Sequence, residues 1–464
     1  MSDSGRGARD RGADPAVTAE LREVYAGIIA RAPEHDIDPT LDRVAKVLDL
    51  MGNPQRAYRV VHVTGTNGKT STARMIERLV REHGLRTGRF TSPHLASVTE
   101  RIAIDGEPVS DAGFVAAWHD VEPYVAMVDA ESQAGGGPRL SFFEVLTVMA
   151  FAAFADTPVD VAVVEVGMGG RWDSTNVVDG DVAVLTPIAI DHTRWLGHTV
   201  EEIAHEKAGI IKPDAVVVSA VQTEDAEREI RARVAEVHAT LLAEGEALAV
   251  LDRTVGVGGQ LVTLSTPAGV YQDVFVPLHG EHQAHNALLA LAAVESLLSG
   301  GRALDGAVVE AAFGGVESPG RLEIVRSSPT VLVDAAHNPA AAQVLVDALE
   351  EAFAFRRLVG VVGMMADKDI EGVLAILEPV LAEIVVTSIP GSDRALDVTD
   401  LAEIAVDVFG EDRVHVEARL NDALDVAVTL AEADDSVGVG LGAGVIVAGS
   451  VVLAAEARAA FGRK

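Results

Sequence analysis

The sequence contains no cysteine, which excludes disulfide bridges, zinc–thiolate sites and cysteine nucleophiles. Such a composition suits the cytoplasm, and we expect that location. The chain also lacks any run of about 20 uninterrupted apolar residues, so no membrane span is expected. The first residues, MSDSGRGARDRGADPAV, lack the apolar stretch of a signal peptide and are polar and glycine-rich. Residues 1–16 are therefore predicted to form a disordered tail.

Basic residues are scarce. The chain has 37 Lys and Arg against 70 Asp and Glu, which gives a net charge of −33. This charge argues against a broad nucleic-acid surface, because the phosphate backbone would be repelled. The plain interpretation is a soluble acidic surface. An anionic substrate would then need local basic groups to bind against the overall field.

The length of 464 residues exceeds what one hydrophobic core usually supports, so two domains are expected. Short, continuous apolar runs alternate with helical stretches, which is typical of a mostly parallel sheet covered on both faces in an α/β fold. The predicted strands are 59–64, 159–165, 182–187, 215–220, 330–334, 358–363, 384–388, 413–417 and 444–448. The predicted helices are 70–83, 140–155, 200–209, 283–299, 339–353 and 451–461. Residues 131–139, ESQAGGGPR, are predicted to be a loop.

The stretch VVHVTGTNGKTS at 60–71 has the pattern of a phosphate-binding loop that is one size too short. A buried strand, a glycine-rich turn and a helix N-terminus together present backbone N–H groups and a positive dipole end to an anion. Lys69 can reach the β- and γ-phosphates, and the hydroxyl of Thr70 or Ser71 can hold magnesium. A simple turn would not need Lys-Thr at the start of an amphipathic helix, so we favour the nucleotide site.

A carboxylate for magnesium is expected at the end of a neighbouring strand. Glu165 ends the apolar run 159–165 and precedes glycines, on the face where α/β folds bind ligands. The next strand leads to Asp191 and His192. A lone histidine is more often structural than a ligand, but the adjacent strand makes the two interpretations about even for His192.

A domain boundary is predicted near 317–323, ESPGRLE, where Pro319-Gly320 breaks any helix. The predicted units are a P-loop domain at 17–318 and a smaller Rossmann-like α/β domain at 319–464.

A series of motifs occurs in one order along the chain. They are GTNGKTS (65–71), TSPHL (91–95), ERI (100–102), EVGMGGRWDSTN (165–176), DH (191–192), EIAHEKAGIIK (202–212), HN (285–286), PGR (319–321) and DAAHNP (334–339). Together they resemble the folylpolyglutamate synthase/dihydrofolate synthase family, within the Mur ligase superfamily. The resemblance runs from about residue 40 to the C-terminus. The shortened P-loop is the usual form in that superfamily.

The resemblance implies ATP-dependent amide ligation. ATP phosphorylates a substrate carboxylate, and the amine of L-glutamate attacks the acyl phosphate. The carboxylate would belong to dihydropteroate or to the last glutamate of a folate. The transferred phosphate needs positive charge, which Lys69 and one or two Mg²⁺ would supply. The ATP-binding residues would be Gly65, Thr66, Asn67, Gly68, Lys69, Thr70, Ser71, Asn286, Arg321 and Asp334, and the metal-holding residues Ser92, Glu165 and His192.

Lys207 is assigned a catalytic part by the resemblance, because the matching lysine in the family is often carbamylated. A bare ammonium beside Mg²⁺ would be repelled, whereas N6-carboxylysine is an anion. The alternative is an ordinary ion pair of Lys207 with Glu201, Glu202 or Glu206. We favour the carbamate.

The second domain is expected to contribute to a split site. By resemblance, Asn286 would contact adenine, and Arg321 would reach the ATP phosphates across a cleft. Asp334 and the catalytic candidate His337 follow the first strand of that domain, so they would face the cleft. Asn338-Pro339 is also a good helix start. Such a site implies closure about a hinge at 317–323.

The pterin end of the substrate is expected at residues 91–101. The folate-side loop would carry Ser92, Pro93, His94, Glu100 and Arg101, with a strand starting at Glu100-Arg101. Phe142 and Phe143 open a helix, and we interpret them as core residues rather than ring-stacking groups.

The sequence argues against two alternative functions. A Mur ligase of peptidoglycan precursors carries a separate nucleotide-sugar domain before the P-loop, and the 64 residues before Gly65 are too few for one. A P-loop binding protein that does not ligate is the other, but the guanine motif Asn-Lys-x-Asp is lacking at 366–369, where the run is Ala-Asp-Lys-Asp. The motifs leave open whether the chain makes dihydrofolate, extends polyglutamate tails or does both. The expected partners are small-molecule substrates, and a monomer is expected by family resemblance.

Overall fold

The computed structural model describes residues 14–32, 38–392, 394–433 and 442–463. In this part of the chain the helices are α1 (Pro15–Ile29), α2 (Asp42–Leu50), α3 (Lys69–Glu82), α4 (Asp111–Ala134), α5 (Phe142–Asp156), α6 (Thr193–Leu196), α7 (Val200–Ala208), α8 (Glu224–Glu236), α9 (Glu281–Val294), α10 (Gly306–Gly314), α11 (Pro339–Ala352), α12 (Ile370–Leu377), α13 (Val398–Phe409), α14 (Leu420–Glu432) and α15 (Val451–Ala460).

The strands of the same part of the chain are β1 (Arg59–Thr64), β2 (Thr87–Phe90), β3 (Ile102–Ile104), β4 (Glu107–Pro108), β5 (Val161–Glu165), β6 (Val182–Leu185), β7 (Val216–Ser219), β8 (Thr240–Ala243), β9 (Ala249–Gly256), β10 (Gly259–Thr266), β11 (Gly269–Val276), β12 (Glu323–Ser327), β13 (Thr330–Val333), β14 (Arg357–Val362), β15 (Glu383–Val386), β16 (Val414–Val416) and β17 (Ala443–Ala448).

The N-terminal domain is built on an eight-stranded sheet of order β4-β3-β2-β5-β1-β6-β7-β8. The six neighbouring strands β2, β5, β1, β6, β7 and β8 pair in parallel. The β2–β3 and β3–β4 pairs at the edge of the sheet are antiparallel. Because side chains alternate along β1, Val61 and Val63 pack under α3 and α9, and Val60 packs on the opposite face against α5. Both faces of the sheet are therefore covered, as the continuous apolar strands predict.

A second, antiparallel sheet of order β11-β10-β9 belongs to the same domain and packs its apolar face into the α3–α9 layer. The C-terminal domain has its own six-stranded sheet of order β12-β13-β17-β14-β15-β16, parallel except for the β12–β13 pair. The predicted α/β class with a mostly parallel sheet and a second α/β domain is confirmed. No helix in the described ranges is long and apolar enough to cross a membrane.

Three local predictions differ from the structure. A disordered tail was predicted for residues 1–16, of which residues 1–13 lie outside the described part of the chain. Residues 15 and 16 are helical instead, since α1 begins at Pro15. The Asp14 carboxylate accepts the N–H of Ala16 and caps this helix. The loop predicted at 131–139 is helical as far as Ala134. Glu100 and Arg101 end a 3₁₀ turn, and the strand starts one residue later, at Ile102.

Candidate functional site

The shortened P-loop connects β1 to α3, and two of its glycines have no room for a side chain. Gly65 has φ 145°, and a Cβ there would lie 1.9 Å from the Thr186 hydroxyl. Gly68 has φ 88°, and its Cβ would lie 2.7 Å from the amide oxygen of Asn286. The loop therefore packs against β6 on one side and against α9 on the other. The second contact places Asn286 beside the loop.

Two lysines donate to the carbonyl oxygen of Gly65. Lys69 Nζ lies 3.1 Å from it and 3.1 Å from the Thr66 carbonyl, and Lys207 Nζ lies 2.7 Å from it. Burial lowers the pKa of Lys69, and burial and the neighbouring Lys69 lower the pKa of Lys207 to about 7. Among the described residues Lys207 forms no ion pair with the three glutamates considered for it. The loop thus carries concentrated positive charge in an acidic protein.

Glu165 lies at the end of β5 with Thr70 against it. The Thr70 hydroxyl donates to both carboxylate oxygens, at 2.9 and 3.1 Å, and the backbone of Ser92 also hydrogen-bonds to the group. Burial raises the pKa of Glu165, although Lys69 opposes the shift. A buried carboxylate beside a hydroxyl is an oxygen donor set that fits Mg²⁺. Over the described residues, however, no three His, Asp or Glu side chains converge as metal ligands.

His192 and Asp191 follow β6. His192 has φ 52°, a left-handed conformation that is uncommon outside glycine and is found at functional sites. Burial lowers the pKa of His192 to about 3, so the ring is neutral. Burial would raise the pKa of the Asp191 carboxyl, but the neighbouring His337 and the ammonium of Lys368 hold it well below its usual range. Asp191 is therefore an anion in contact with the C-terminal domain.

Polar contacts join the two domains beside the P-loop. Asn67 and Asn338 exchange two amide hydrogen bonds of 3.2 Å across the domains. Ser71 shares a further bond of 2.8 Å with Ser318, the last residue before the predicted domain boundary. Asn338 also caps α11 by accepting the N–H of Ala341, so the predicted helix start is confirmed.

Arg321 lies in the connection between the domains, and Asp334 directly follows β13. The Arg321 guanidinium donates to the carbonyl of Gly320, at 3.1 Å. The Asp334 carboxylate accepts the backbone N–H groups of Leu322 and Ala336, each at 2.7 Å, and burial raises its pKa. Asp334 thereby ties the connection to the end of β13. These bonds occupy one lone pair on each Asp334 oxygen, so this carboxylate also has a structural role.

A cavity of about 630 Å³ runs between the domains. The predicted site residues that line it are Gly65, Thr66, Lys69, Ser92, Pro93, His94, Arg101, His192, Lys207 and His337. The predicted residues outside its lining are Asn67, Gly68, Thr70, Ser71, Glu100, Glu165, Asn286, Arg321 and Asp334. Contacts join several members of the second group to one another, between Thr70 and Glu165 and between Gly68 and Asn286.

The loop at residues 91–101 is shaped by its own side chains. Glu100 accepts the backbone N–H groups of residues 95–97 and does not line the cavity. Arg101 donates to His94 Nδ1 at 2.9 Å and lies over the ring of Phe142, 5.1 Å from its centroid. Phe142 is buried in the core, as predicted, yet its edge also lines the cavity.

Several lining residues were missed by sequence reasoning. They are Tyr25 and Arg43 from the N-terminal helices, Trp172 from the loop after β5, Arg194 from α6, and Lys368 and Arg394 from the C-terminal domain. For Trp172, the EVGMGGRWDSTN motif was a usable signal. The others stand on segments without a motif.

Known proteins resemble the chain over almost its whole length. The Mur ligase middle domain matches residues 114–294, and the Mur ligase glutamate ligase domain matches residues 320–444. A dihydrofolate synthase/folylpolyglutamate synthase of Mycobacterium tuberculosis is 52% identical over 97% of this chain and 95% of its own. One of Bacillus subtilis is 34% identical over 81% of this chain and 87% of its own.

Solved structures agree. A Mycobacterium tuberculosis folylpolyglutamate synthase complexed with ADP has a TM-score of 0.92 at 52% identity, covering 97% of this chain and 99% of that one. An FPGS–AMPPCP–folate complex has a TM-score of 0.78 at 32% identity, covering 94% and 98%. The predicted resemblance is thereby confirmed, and the chain belongs to the dihydrofolate synthase/folylpolyglutamate synthase family of ATP-dependent, Mur-type ligases.

Proposed function

We propose that this protein joins L-glutamate both to dihydropteroate and to the γ-carboxylate of tetrahydrofolylpolyglutamates, at one site and with ATP as the energy source. The observation that carries the proposal is one cavity that reaches from Lys69 and Lys207, at the P-loop, to the 91–101 loop. It brings a nucleotide end and a pterin end within one space. Similar proteins of Mycobacterium tuberculosis and Bacillus subtilis carry both activities in their names.

In the first step an oxygen of the substrate carboxylate attacks the γ-phosphorus of ATP, and ADP leaves. The backbone N–H groups of the P-loop and the N-terminus of α3 bind the phosphates. Lys69 now donates to two loop carbonyls and would turn to the β- and γ-phosphate oxygens when ATP enters. Its charge is already at the loop, so little reorganisation is needed as negative charge moves.

In the second step the glutamate amine attacks the acyl carbon, and inorganic phosphate leaves from the tetrahedral intermediate. The C-terminal domain supplies one wall of the cavity for this step. His337 is fixed by its Nδ1 contact to the Ala335 carbonyl, so its Nε2 points toward Asp191 and the cavity. We assign it a role in placing the incoming amine. Arg321 and Asp334 would shape the nucleotide side, and Asn286 would contact adenine.

One or two Mg²⁺ ions would supply charge neutralisation for the phosphates. Thr70 and Glu165 fit such an ion by donor type, and Ser92 and His192 are proposed as further ligands. Ser92 adds a hydroxyl near Glu165, and His192 offers a neutral imidazole.

Lys207 is proposed to carry a carbamate. Its lowered pKa, about 7, leaves much of the amine uncharged at neutral pH, and an uncharged amine can attack the carbon of CO2 with loss of one proton to solvent. The product, N6-carboxylysine, would place an anion beside Lys69. Intact-mass measurement under CO2 tests this. An unmodified lysine with full activity in CO2-free buffer would contradict it.

The domain bounds are proposed as 17–318 and 319–464, with the hinge at 317–323. The gap between the matched Mur ligase domains, 294 to 320, brackets this boundary. A monomer acting in the cytoplasm on small molecules, without nucleic acid, is the proposed state.

The test is an assay of purified protein with ATP, Mg²⁺ and glutamate, in which dihydropteroate and tetrahydrofolate are offered separately and products are weighed by mass spectrometry. Both substrates should gain glutamate, with ADP released in step. Product from one substrate alone would reduce the proposal to a single activity. ADP release without any amide product would contradict it. Lys69→Ala serves as the inactive control.

A further inference from the structure

Asp191 is the carboxylate through which the two domains meet inside the cavity. It stands on the loop after β6, in the N-terminal domain. Lys368 Nζ lies 2.6 Å from its Oδ1, and Asn338 Nδ2 lies 3.2 Å from its Oδ2. His337 Nε2 lies 3.6 Å from the same oxygen. All three partners belong to the C-terminal domain.

The ion pair is shielded from water. The side chains of Lys368 and Asp191 are 8% and 9% exposed, so their attraction is screened far less than that of a surface pair. A buried charge that loses its partner is destabilised. If the C-terminal domain moved away, the Asp191 carboxylate and the Lys368 ammonium would each lose the opposite charge of this ion pair. The pair therefore favours one relative placement of the domains.

The loop that carries Asp191 is itself fixed to the P-loop. The Thr66 backbone donates to the Pro187 carbonyl at 2.9 Å, and the Thr66 hydroxyl bonds to both the carbonyl and the N–H of Ala189, at 3.0 Å. Asn338, in turn, is shared between Asp191 and Asn67 of the P-loop. A short, continuous set of bonds thus runs from the phosphate loop through Asp191 to α11 and Lys368.

We propose that Asp191 is a positioning residue of the ligation reaction, which holds the C-terminal domain in register with the P-loop by acting through Lys368 and Asn338. The proposal rests on the ligase activity proposed above. It assigns Asp191 a role distinct from phosphate binding: the two halves of the site are placed so that the amine can reach the activated carboxylate. Misplacement of reacting groups by about 1 Å can cost about 100-fold in rate.

The experiment compares Asp191→Asn, Lys368→Met and the double variant with the parent protein. Each single change should lower kcat by about 100-fold, with the KM for ATP within about twofold because the P-loop contacts remain. The double variant should be no slower than the slower single, because both changes break the same contact. Hydrogen exchange at 338–345 should rise in all three, since it reports release of α11 from the N-terminal domain.

Glu351→Gln is the matched control. It breaks a second ion pair between the domains, Arg253–Glu351, which lies away from the cavity, and it should leave kcat within about threefold. The proposal would be overturned if the fold-losses in kcat of Asp191→Asn and Lys368→Met multiplied in the double variant. Hydrogen exchange at 338–345 that stayed as in the parent protein would also overturn it. Loss of activity in the parent protein would instead count against the ligase function, so the two failures are distinguishable. Circular dichroism of each variant confirms that it folds.

Discussion

At the scale of single residues, the main feature of the site is that it buries lysine side chains. The protein carries a net charge of −33, yet it buries Lys69 and Lys207 around one carbonyl oxygen. Buried lysines bonded to neutral carbonyls are poorly compensated, and their lowered pKa values express that cost. At Lys69 an incoming triphosphate would supply the missing negative charge, and at Lys207 the proposed carbamate would remove the uncompensated ammonium. Lys69 is therefore placed to receive an anion before one binds.

Replacement of Lys69 tests this directly. We expect Lys69→Ala to lower kcat by about 1,000-fold or more, because a preorganised charge on the transferring phosphate is lost. Steady-state assay of ADP release measures the effect. Lys46→Ala, which removes an exposed lysine paired with Glu131, is the matched control and should remain active. Near-normal turnover of the Lys69 variant would contradict the proposed phosphate site.

His62 gives a prediction on acid stability. It lies fully buried in β1, with Nε2 2.9 Å from the Thr175 hydroxyl and Nδ1 without a partner, and burial, with the charge of Lys212, lowers its pKa to about 3 from an ordinary 6.5. Between those values the unfolded chain binds a proton that the folded chain does not. Stability therefore falls as the pH drops from 6.5 toward 3, by up to about 1.4 kcal/mol per pH unit for this group.

His62→Gln keeps a side-chain amide for Thr175 and cannot titrate. The free energy of unfolding, measured by urea denaturation from pH 7 to 4, should fall less steeply with decreasing pH than in the parent. His119→Gln is the control, because that exposed ring has its pKa raised by Glu20 and its loss cannot flatten the acid slope. An unchanged slope in the His62 variant would refute the burial argument.

At the scale of secondary-structure elements, the strands that were predicted correctly are those with a continuous apolar run. The continuous valine-rich runs predicted β1, β5, β6 and the strands β13 to β17 within about two residues, because strands buried on both faces need no polar alternation. The edge strand β12 was not predicted. The antiparallel sheet β9–β11 was missed. Its strands are half exposed and mix Asp, Arg and Gln with valine, so no run stands out.

The missed part of the site has a similar cause. The P-loop, Glu165 and the 91–101 loop lie on segments whose local pattern implies chemistry. Tyr25 and Arg43 come from helices packed on the far side of α5, and Lys368 comes from a loop some 300 residues after the P-loop. Their arrival at one cavity depends on the packing of whole elements, which local patterns do not encode.

The P-loop itself supports a prediction at this scale. Gly65→Ala places a methyl group 1.9 Å from the Thr186 hydroxyl and 2.9 Å from its carbonyl, at a φ that other residues rarely adopt. The loop must shift, and we expect ATP affinity to fall by at least about tenfold while the domain remains folded. Isothermal titration with ATP measures it. Gly84→Ala, a glycine with positive φ and open space at the end of α3, is the control.

At the scale of the whole molecule, the chain joins two α/β domains by contacts of two kinds. One set lies at the cavity and includes the Asp191–Lys368 ion pair. Arg321 lies in the connection between the domains, outside the cavity lining. We predict that Arg321→Ala lowers turnover by about 100-fold or more, because a guanidinium that would face the phosphates across the domain connection is lost. Turnover and circular dichroism together measure it. Near-normal activity in a folded variant would count against a site split between the domains.

The other set of contacts lies away from the cavity, where β9 meets α11. Arg253 donates to both oxygens of Glu351, with one distance of 2.8 Å, and the His279 ring lies 5.1 Å from that of Phe353. The pair is partly exposed, so each charge reversal, Arg253→Glu or Glu351→Arg, should weaken domain docking by only about 1 kcal/mol. The reversed pair should recover much of that loss, since the charges again attract. Limited proteolysis at the 317–323 connection and urea denaturation measure docking, and turnover should stay within about threefold throughout. If the double reversal were worse than either single change, the contact would owe its strength to packing rather than to charge.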